Sequence, residues 1–516
     1  MRSFLSDYVA GAPDLMAFFN GAPADLLASP PKGRTCDKHL VDAIAQYNAT
    51  LGHKKSSDLS CPVIVTGQQP ALFGGPMYTI YKAITTVKLA ALVEEHTGAC
   101  CTPVFWVGSE DHDFEEARWA DLLTRNHTRR HFRYVPEKDV DGKPMYRVQV
   151  EDSIHGFIDE AAQLAPGGEH ADAISDFLHE SLDASLSLSD WSGRILARLF
   201  KDTRLTFFTP DLAEARRIAA TLIEREIREP LVNTKLLNER ALELERLDYP
   251  PQVIKGESEC NFFVEFEGRR RKVVYERGRF AIPEEDVTYA EQELLDHLHY
   301  EPTRFSPNVA LRCIVQSHLF PTAAYVAGPG ELAYWAQLKP VFERFELPMP
   351  IVYPRARAAL TSIKLNKLFR KLDLVLSDLD APRDELENRA LRNASTNPAV
   401  RFIEDKRPAF ESLLNEFEAG LSQHDKTAAA MVEGLKKEIA SQLARLERTA
   451  LNADASKNEA TLKQLERLCI TFMPDRKPQE RVYSIFSWLF EYGWDLVPRL
   501  IESIDVQDFA VNEIEL

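Results

Sequence analysis

Four consecutive residues, Glu110-Asp111-His112-Asp113, put three carboxylates and an imidazole side by side. One acid or the imidazole can take a proton from a substrate ammonium and make the amine nucleophilic, while the others hold an ammonium group. An Asp in such a place can equally cap the next helix, and Asp111 or Asp113 suits that role. Upstream, Gln68 and Gln69 offer paired amide donors and acceptors suited to an amino acid or a sugar. They sit in a Gly-rich loop, Gly67 to Pro76, whose amides at a helix start would favour a phosphate or carboxylate. The loop is neither a P-loop nor a dinucleotide fingerprint, since GxxxxGKS/T and GxGxxG are both missing. Tyr78 and Lys82, four apart, share one face of the helix that follows, and Lys82 can reach back toward an anion.

A second Gly-Pro loop, Gly328 to Glu331, precedes Tyr334 and Trp335, and Arg355 follows the last apolar run with a fork suited to carboxylate or phosphate. The candidate catalytic residues are Asp111, His112 and Asp113. The candidate substrate-binding set is Gly67, Gln68, Gln69, Tyr78, Lys82, Glu110, Asn308, Gln316, Gly328, Glu331, Tyr334, Trp335 and Arg355. No metal ligand is assigned, because neither HExxH nor a Cys/His pair occurs.

These groups need strands that end beside one another. Val63 to Thr66 and Pro103 to Val107 are short apolar runs, with helical spacing from Tyr78 to Glu95 between them, so the stretch is a βαβ unit. Both polar loops then fall at strand carboxyl ends, where ligands of such sheets bind. Leu205 to Thr209, Ala323 to Ala327 and Ile351 to Tyr353 are further core strands, and the chain is expected to re-enter the core at Ser306 to Arg312. The fold class is α/β, a doubly wound parallel sheet within residues 1–359, with insertions near 125–185 and 250–300. The second insertion reads as a hairpin between Gln252 and Tyr275. Residues 212–247 and 332–345 read as helices, and residues 1–60 as helical pieces broken at Pro23 and Pro30-Pro31. From Leu360 the composition turns to Leu, Lys, Glu and Ala. Here Ala428, Val432, Leu435, Ile439, Leu443, Leu446, Ala450 and Ala453 form a heptad seam with one stutter, which predicts an antiparallel coiled-coil hairpin over 360–468 and a dimer through its uncovered face. Residues 469–516 regain aromatic density and are expected to return to the core.

A chain of 516 residues with net charge −17 argues against a general nucleic-acid or anionic-membrane binder. No apolar run reaches the length of a membrane span, and no export signal is visible at the N-terminus. Seven cysteines without a CxxC predict free thiols in a reducing compartment, hence a cytoplasmic protein.

Three blocks carry a resemblance: TGQQPALFGGPMYTIYKA, then FWVGSEDHDFEEA, and later FSPNVALRCIVQSHLFPTAAYVAGPGELAYWAQLKPVFE with PMPIVYPRARAAL. Long and in order across the first 360 residues, they resemble the bacillithiol-biosynthesis cysteine-adding enzyme family. The resemblance implies a Rossmann-like core and a dimerising coiled coil. It implies a ligase forming an amide between L-cysteine and the glucosamine amine of glucosaminyl malate, with ATP or ADP as cofactor through a core similar to nucleotidyltransferases and class I aminoacyl-tRNA synthetases. The signatures of those enzymes are missing, Ser362-Ile363-Lys364 being only a faint echo of a KMSKS loop. Two other readings are a metal-dependent hydrolase built on Glu110 to Asp113 and a non-catalytic coiled-coil scaffold.

Overall fold

The computed structural model describes residues 3–28, 34–55, 58–165, 168–395, 397–451 and 455–516. The Pro30-Pro31 break and Ala453 lie outside the described residues. The chain forms two compact units, the first made of Met1–Arg125, Arg130–Ala359 and Glu480–Ile514. In chain order its strands include β1 (Val63–Gln68), β2 (Thr102–Val107), β3 (Trp119–Leu123), β4 (Arg129–Arg133), β5 (Thr206–Phe208), β6 (Glu259–Phe266), β7 (Arg269–Glu276), β8 (Arg279–Ile282), β9 (Val287–Tyr289), β10 (Phe305–Pro307), β11 (Thr322–Ala327) and β12 (Ile351–Pro354).

Five of these make the core, a parallel sheet in the order β12-β11-β1-β2-β5. The winding reverses between β1 and β11, so the crevice for a ligand opens at their carboxyl ends, where Gly67 to Gln69 and Gly328 to Glu331 lie. β2 is buried along its whole length, as its continuous apolar run requires when helices cover both faces. Gly67 faces Trp106 so closely that a Cβ there would stand 2.9 Å from the Trp106 carbonyl oxygen, and any side chain would part β1 from β2.

The hairpin expected between Gln252 and Tyr275 is part of a larger antiparallel sheet, β10-β6-β7-β8-β9. Arg277-Gly278, with positive φ at both positions, turns β7 into β8 and extends it. Ser306 to Arg312 does not re-enter the core as a strand. β10 pairs with β6, and Asn308 then caps the helix Val309–Leu319, its Oδ1 accepting from the Ala310 and Leu311 amides. Two long helices are also divided. Pro230 and a left-handed Leu231 separate Ala213–Arg228 from Val232–Arg246. Pro329–Trp335 and Lys339–Arg344 part around Gln337, whose buried amide accepts from the Val253 N–H (3.0 Å) and donates to its carbonyl (2.6 Å).

Cys61 and Cys100 form a disulfide, which corrects the expectation of seven free thiols. They precede β1 and β2, whose register pairs Val63 with Thr102, and so stand with Cα atoms 5.7 Å apart. Cys36, Cys101, Cys260, Cys313 and Cys469 are free thiols.

The second unit comprises Asn126–Arg129, Leu360–Gln479 and Glu515–Leu516, so it runs past residue 468. Its longest helices, Pro398–Ser422 and Lys426–Leu451, pack together across the turn Gln423-His424-Asp425. Leu435 and Leu446 of the expected seam are 45% and 59% exposed. The packed face instead follows Val432, Lys436, Ile439, Leu443, Glu447 and Ala450, which tracks the turn of the helix with charged residues at two positions. Those charges are paired: Lys436 with Glu418, and the buried Glu447 with Arg392 and Arg407. Among the described residues no helix is long and apolar enough to cross a membrane.

Candidate active site

The three predicted strand-end loops meet around a cavity of about 650 Å³ in the first unit. Gly67, Gln68 and Gln69 leave β1, Glu110, Asp111 and His112 follow β2, and Gly328 to Glu331 follow β11. Tyr78, Lys82, Asn308, Tyr334 and Arg355 complete the predicted residues on its wall. A wider cleft of about 1140 Å³ shares Gln69, Asp111, His112, Phe263 and Arg270 with it and adds Asp113.

Not every predicted group is free to meet a ligand. Trp335 is fully buried in the core, stacked on Tyr325 at 4.8 Å between centroids and next to Phe342. Gln316, also fully buried, lies behind the wall and accepts from Arg312 at 3.3 Å. Glu110 is buried in an ion pair with Arg216 at 3.0 Å. Arg355 is held by the equally buried Glu480 through both terminal nitrogens, at 2.9 and 2.7 Å, so its fork is already filled. The second half of the Gly-rich loop turns inward. Phe73 is fully buried beside Phe132, Trp191 and Phe486, and the Gly74 and Gly75 amides bond to Ala71 and Leu72. The Met77 amide at the helix start donates to the Tyr483 carbonyl at 2.9 Å, so these three amides are already taken.

The floor is a charged pair. Lys82 Nζ donates to the Gly67 carbonyl (2.8 Å) and to Gln68 Oε1 (3.0 Å), and forms a salt bridge with Glu331. Burial works against the charge on Glu331, but Lys82, the Gly328 amide and the Tyr325 hydroxyl outweigh it and hold the carboxyl below its ordinary range.

Across from the floor, burial likewise opposes the charge on Asp111, yet the Gln69 amide, Arg270 and the Asp113 amide hold its carboxyl low. Burial and then Arg270 push the His112 imidazole below its usual value. Arg270 Nη1 lies 3.2 Å from His112 Nδ1. A guanidinium only donates, so Nδ1 carries the lone pair and Nε2 the proton. In this arrangement the His112 ring has Nε2–H as its remaining polar group, a donor. Asp113 is exposed and caps the helix Phe114–Ala117 by accepting from the Glu116 amide. Glu116, at the mouth of both cavities, is pushed up by burial and by the carboxylates of Asp113 and Asp111.

Among the lining residues outside the predicted set, three bear on the chemistry. Arg312 donates to the Tyr334 hydroxyl at 3.0 Å, and Arg270 donates to Ser306 Oγ at 2.8 Å and lies 4.0 Å over the Phe263 ring. Among the described residues neither guanidinium forms a salt bridge. Glu116 is the third. A signal for Arg312 was present, since it stands four residues after Asn308 on the same helix face. Arg270 lay hidden in an Arg-rich hairpin that reads as solvated surface.

Residues 1–356 match the family description "Bacillithiol biosynthesis BshC, N-terminal Rossmann-like domain", and residues 358–516 its "C-terminal coiled-coil domain". The chain belongs to the BshC family of bacillithiol biosynthesis. A relative from Salinibacter ruber, named "Putative cysteine ligase BshC", is 31% identical over 446 residues, which are 86% of this chain and 80% of that protein. A relative of the same name from Symbiobacterium thermophilum is 31% identical over 490 residues, 91% of this chain and 88% of its own. The Rossmann-like part of the BshC description coincides with the parallel sheet that carries the cavity, and the coiled-coil part with the helical unit.

Proposed function

We propose that this BshC chain is a cysteine ligase of bacillithiol biosynthesis, joining L-cysteine through an amide bond to the glucosamine amine of glucosaminyl malate. The observation that carries the reading is the pairing of two half-buried arginines without carboxylate partners, Arg270 and Arg312, with an ionised carboxylate, Asp111, around one cavity. The acceptor has this pattern of charge: malate carboxylates for the arginine forks and an ammonium for Asp111. Attack requires the amine to lose its proton. Glu116 is the general base in this reading, because burial and then the neighbouring carboxylates raise its pKa while Asp111 stays ionised. His112 offers Nε2–H to an oxygen of the reacting carboxyl, and Lys82 with Glu331 fixes Gln68 beside it.

Amide formation from a carboxylate needs an activated carboxyl, and ATP is the proposed source. The Gly74, Gly75 and Met77 amides of the loop after β1 are already taken, so side chains at the wall, Lys272 and Arg481, are the fitting contacts for its phosphates. A cytoplasmic setting goes with the biosynthetic role. Homodimerisation through the helical unit is supported by apolar side chains left in solvent on its two long helices: Phe402, Phe410, Leu413 and Phe417 on one, and Met431, Leu435 and Leu446 on the other. Incubation with glucosaminyl malate, cysteine and ATP, omitting each in turn, with mass detection of the condensed thiol, tests the reaction. Product formed without ATP would remove the nucleotide, and no product from the complete mixture would overturn the ligase reading.

A further inference from the structure

A cluster outside the cavity lies between the helices Ser153–Leu164 and Ala171–Asp183. Each carries a His with an Asp four residues on, His155 with Asp159 and His179 with Asp183, on one helix face. The partners cross between helices: His155 Nε2 is 3.0 Å from Asp183 Oδ1, and His179 Nε2 is 3.0 Å from Asp159 Oδ1. An ionised carboxylate only accepts, so Nε2 of each ring bears its proton and Nδ1 is left for something else. The two Nδ1 atoms are 2.6 Å apart. The ring planes lie within 13° of each other with centroids 4.9 Å apart, which exceeds the nitrogen separation by about two ring radii. The rings therefore meet edge to edge, Nδ1 pointing at Nδ1. Two lone pairs so placed repel unless an electron-pair acceptor lies between them.

We propose that His155 and His179 form a two-histidine site for a divalent transition-metal ion of the zinc class, bound through both Nδ1 atoms. Imidazole nitrogen suits such ions. A carboxylate on the opposite ring N–H is the outer-shell arrangement that fixes the tautomer and orientation of metal-binding histidines. Zinc–nitrogen bonds of about 2.0–2.1 Å require the nitrogens to part by less than about 1 Å, to roughly 3.3 Å in a tetrahedral site. The imidazoles, 29% and 28% exposed, can yield that distance, and water can fill the remaining positions. Buried Ile154, Ile158, Ile174 and Leu178 anchor the two helices beneath them. Among the described residues no set of three or more His, Cys, Asp or Glu side chains could hold a metal ion, so the protein supplies two ligands and the solvent the rest. Without metal, a shared proton fills the gap.

Calorimetric titration of the metal-stripped full-length chain with zinc chloride tests the site. The expected result is a zinc ion bound here that is lost in both His155→Gln and His179→Gln, with Asp159→Asn and Asp183→Asn each weakening binding about 10-fold or more. No zinc binding by the parent chain, or a stoichiometry unchanged in both histidine variants, overturns the proposal. Should a histidine variant fail to fold, X-ray absorption on the zinc-loaded parent decides: imidazole nitrogen and oxygen ligands uphold the site, and sulfur ligands overturn it.

Discussion

Arg355 and Arg312 line the same cavity, yet Arg355 is bound by the Glu480 carboxylate whereas Arg312 bonds only to neutral groups, Gln316, Cys313, Tyr325 and Tyr334. Arg312→Lys keeps the charge but loses the planar fork, so the KM for glucosaminyl malate is expected to rise roughly 10-fold to 100-fold with little change in kcat. Steady-state kinetics check this, and an unchanged KM would remove Arg312 from substrate binding. Glu116 and Asp111 are separated by pH. Burial and two neighbouring carboxylates raise the Glu116 pKa, and a protonated carboxyl cannot take the proton of the amine, so turnover falls as pH drops through that raised value. Glu116→Gln is expected to abolish this acid limb and lower kcat about 10²-fold to 10⁴-fold. Asp111→Asn should raise the KM for the amine and leave the limb in place, because Asp111 is ionised throughout that window. A pH–rate profile unaltered in Glu116→Gln would move the base elsewhere. The Gln68-Gln69 and Glu110 to His112 positions were legible in the sequence because they end apolar runs. The tautomer of His112 was not, because it depends on Arg270, 158 positions away in the chain.

At the scale of elements, one cap links stability to binding. Asn308 Oδ1 accepts from two amides while its Nδ2 donates to Asn261 Oδ1 at 2.9 Å, and the helix it starts carries Arg312 one turn later. Asn308→Ala is expected to cost about 2 kcal/mol in urea unfolding and to raise the same KM as Arg312→Lys. A loss of stability without a change in KM would separate the cap from the site. In the helical unit Glu447→Gln should cost about 2 kcal/mol, below the 3–5 kcal/mol of a fully buried pair because Arg392 and Arg407 keep some water. The core strands were legible because buried parallel strands read as uninterrupted apolar runs. The five-stranded antiparallel sheet was not, since its second turn is built by an arginine in the left-handed region, Arg277, and such a residue carries little turn signal. The coiled-coil face was misread at Leu435 and Leu446 because hydrophobicity alone cannot tell a packed leucine from an exposed one when a paired Glu or Lys occupies the contact.

For the whole molecule, the exposed aromatic row Phe402, Phe410 and Phe417 makes self-association the expected state. Phe410→Glu with Phe417→Glu should yield a monomer by light scattering at micromolar concentration, and a dimer surviving both changes would place the interface elsewhere. The sequence marked the composition change at Leu360 well, because helix-forming residues replace strand formers there. The return at Glu480 was harder to place, since the helix Ala455–Phe472 runs on past the expected boundary. That return has a consequence for synthesis. The Arg355–Glu480 pair is internal to the first unit, yet its halves leave the ribosome 125 residues apart. At about 5–20 residues per second the nascent sheet waits roughly 6–25 s with a buried guanidinium unanswered. Until Glu480 emerges, the Arg355 guanidinium beside the crevice lacks the counter-charge that the folded unit gives it, and a ribosome stalled in the helical segment would hold a half-closed core for chaperones to find.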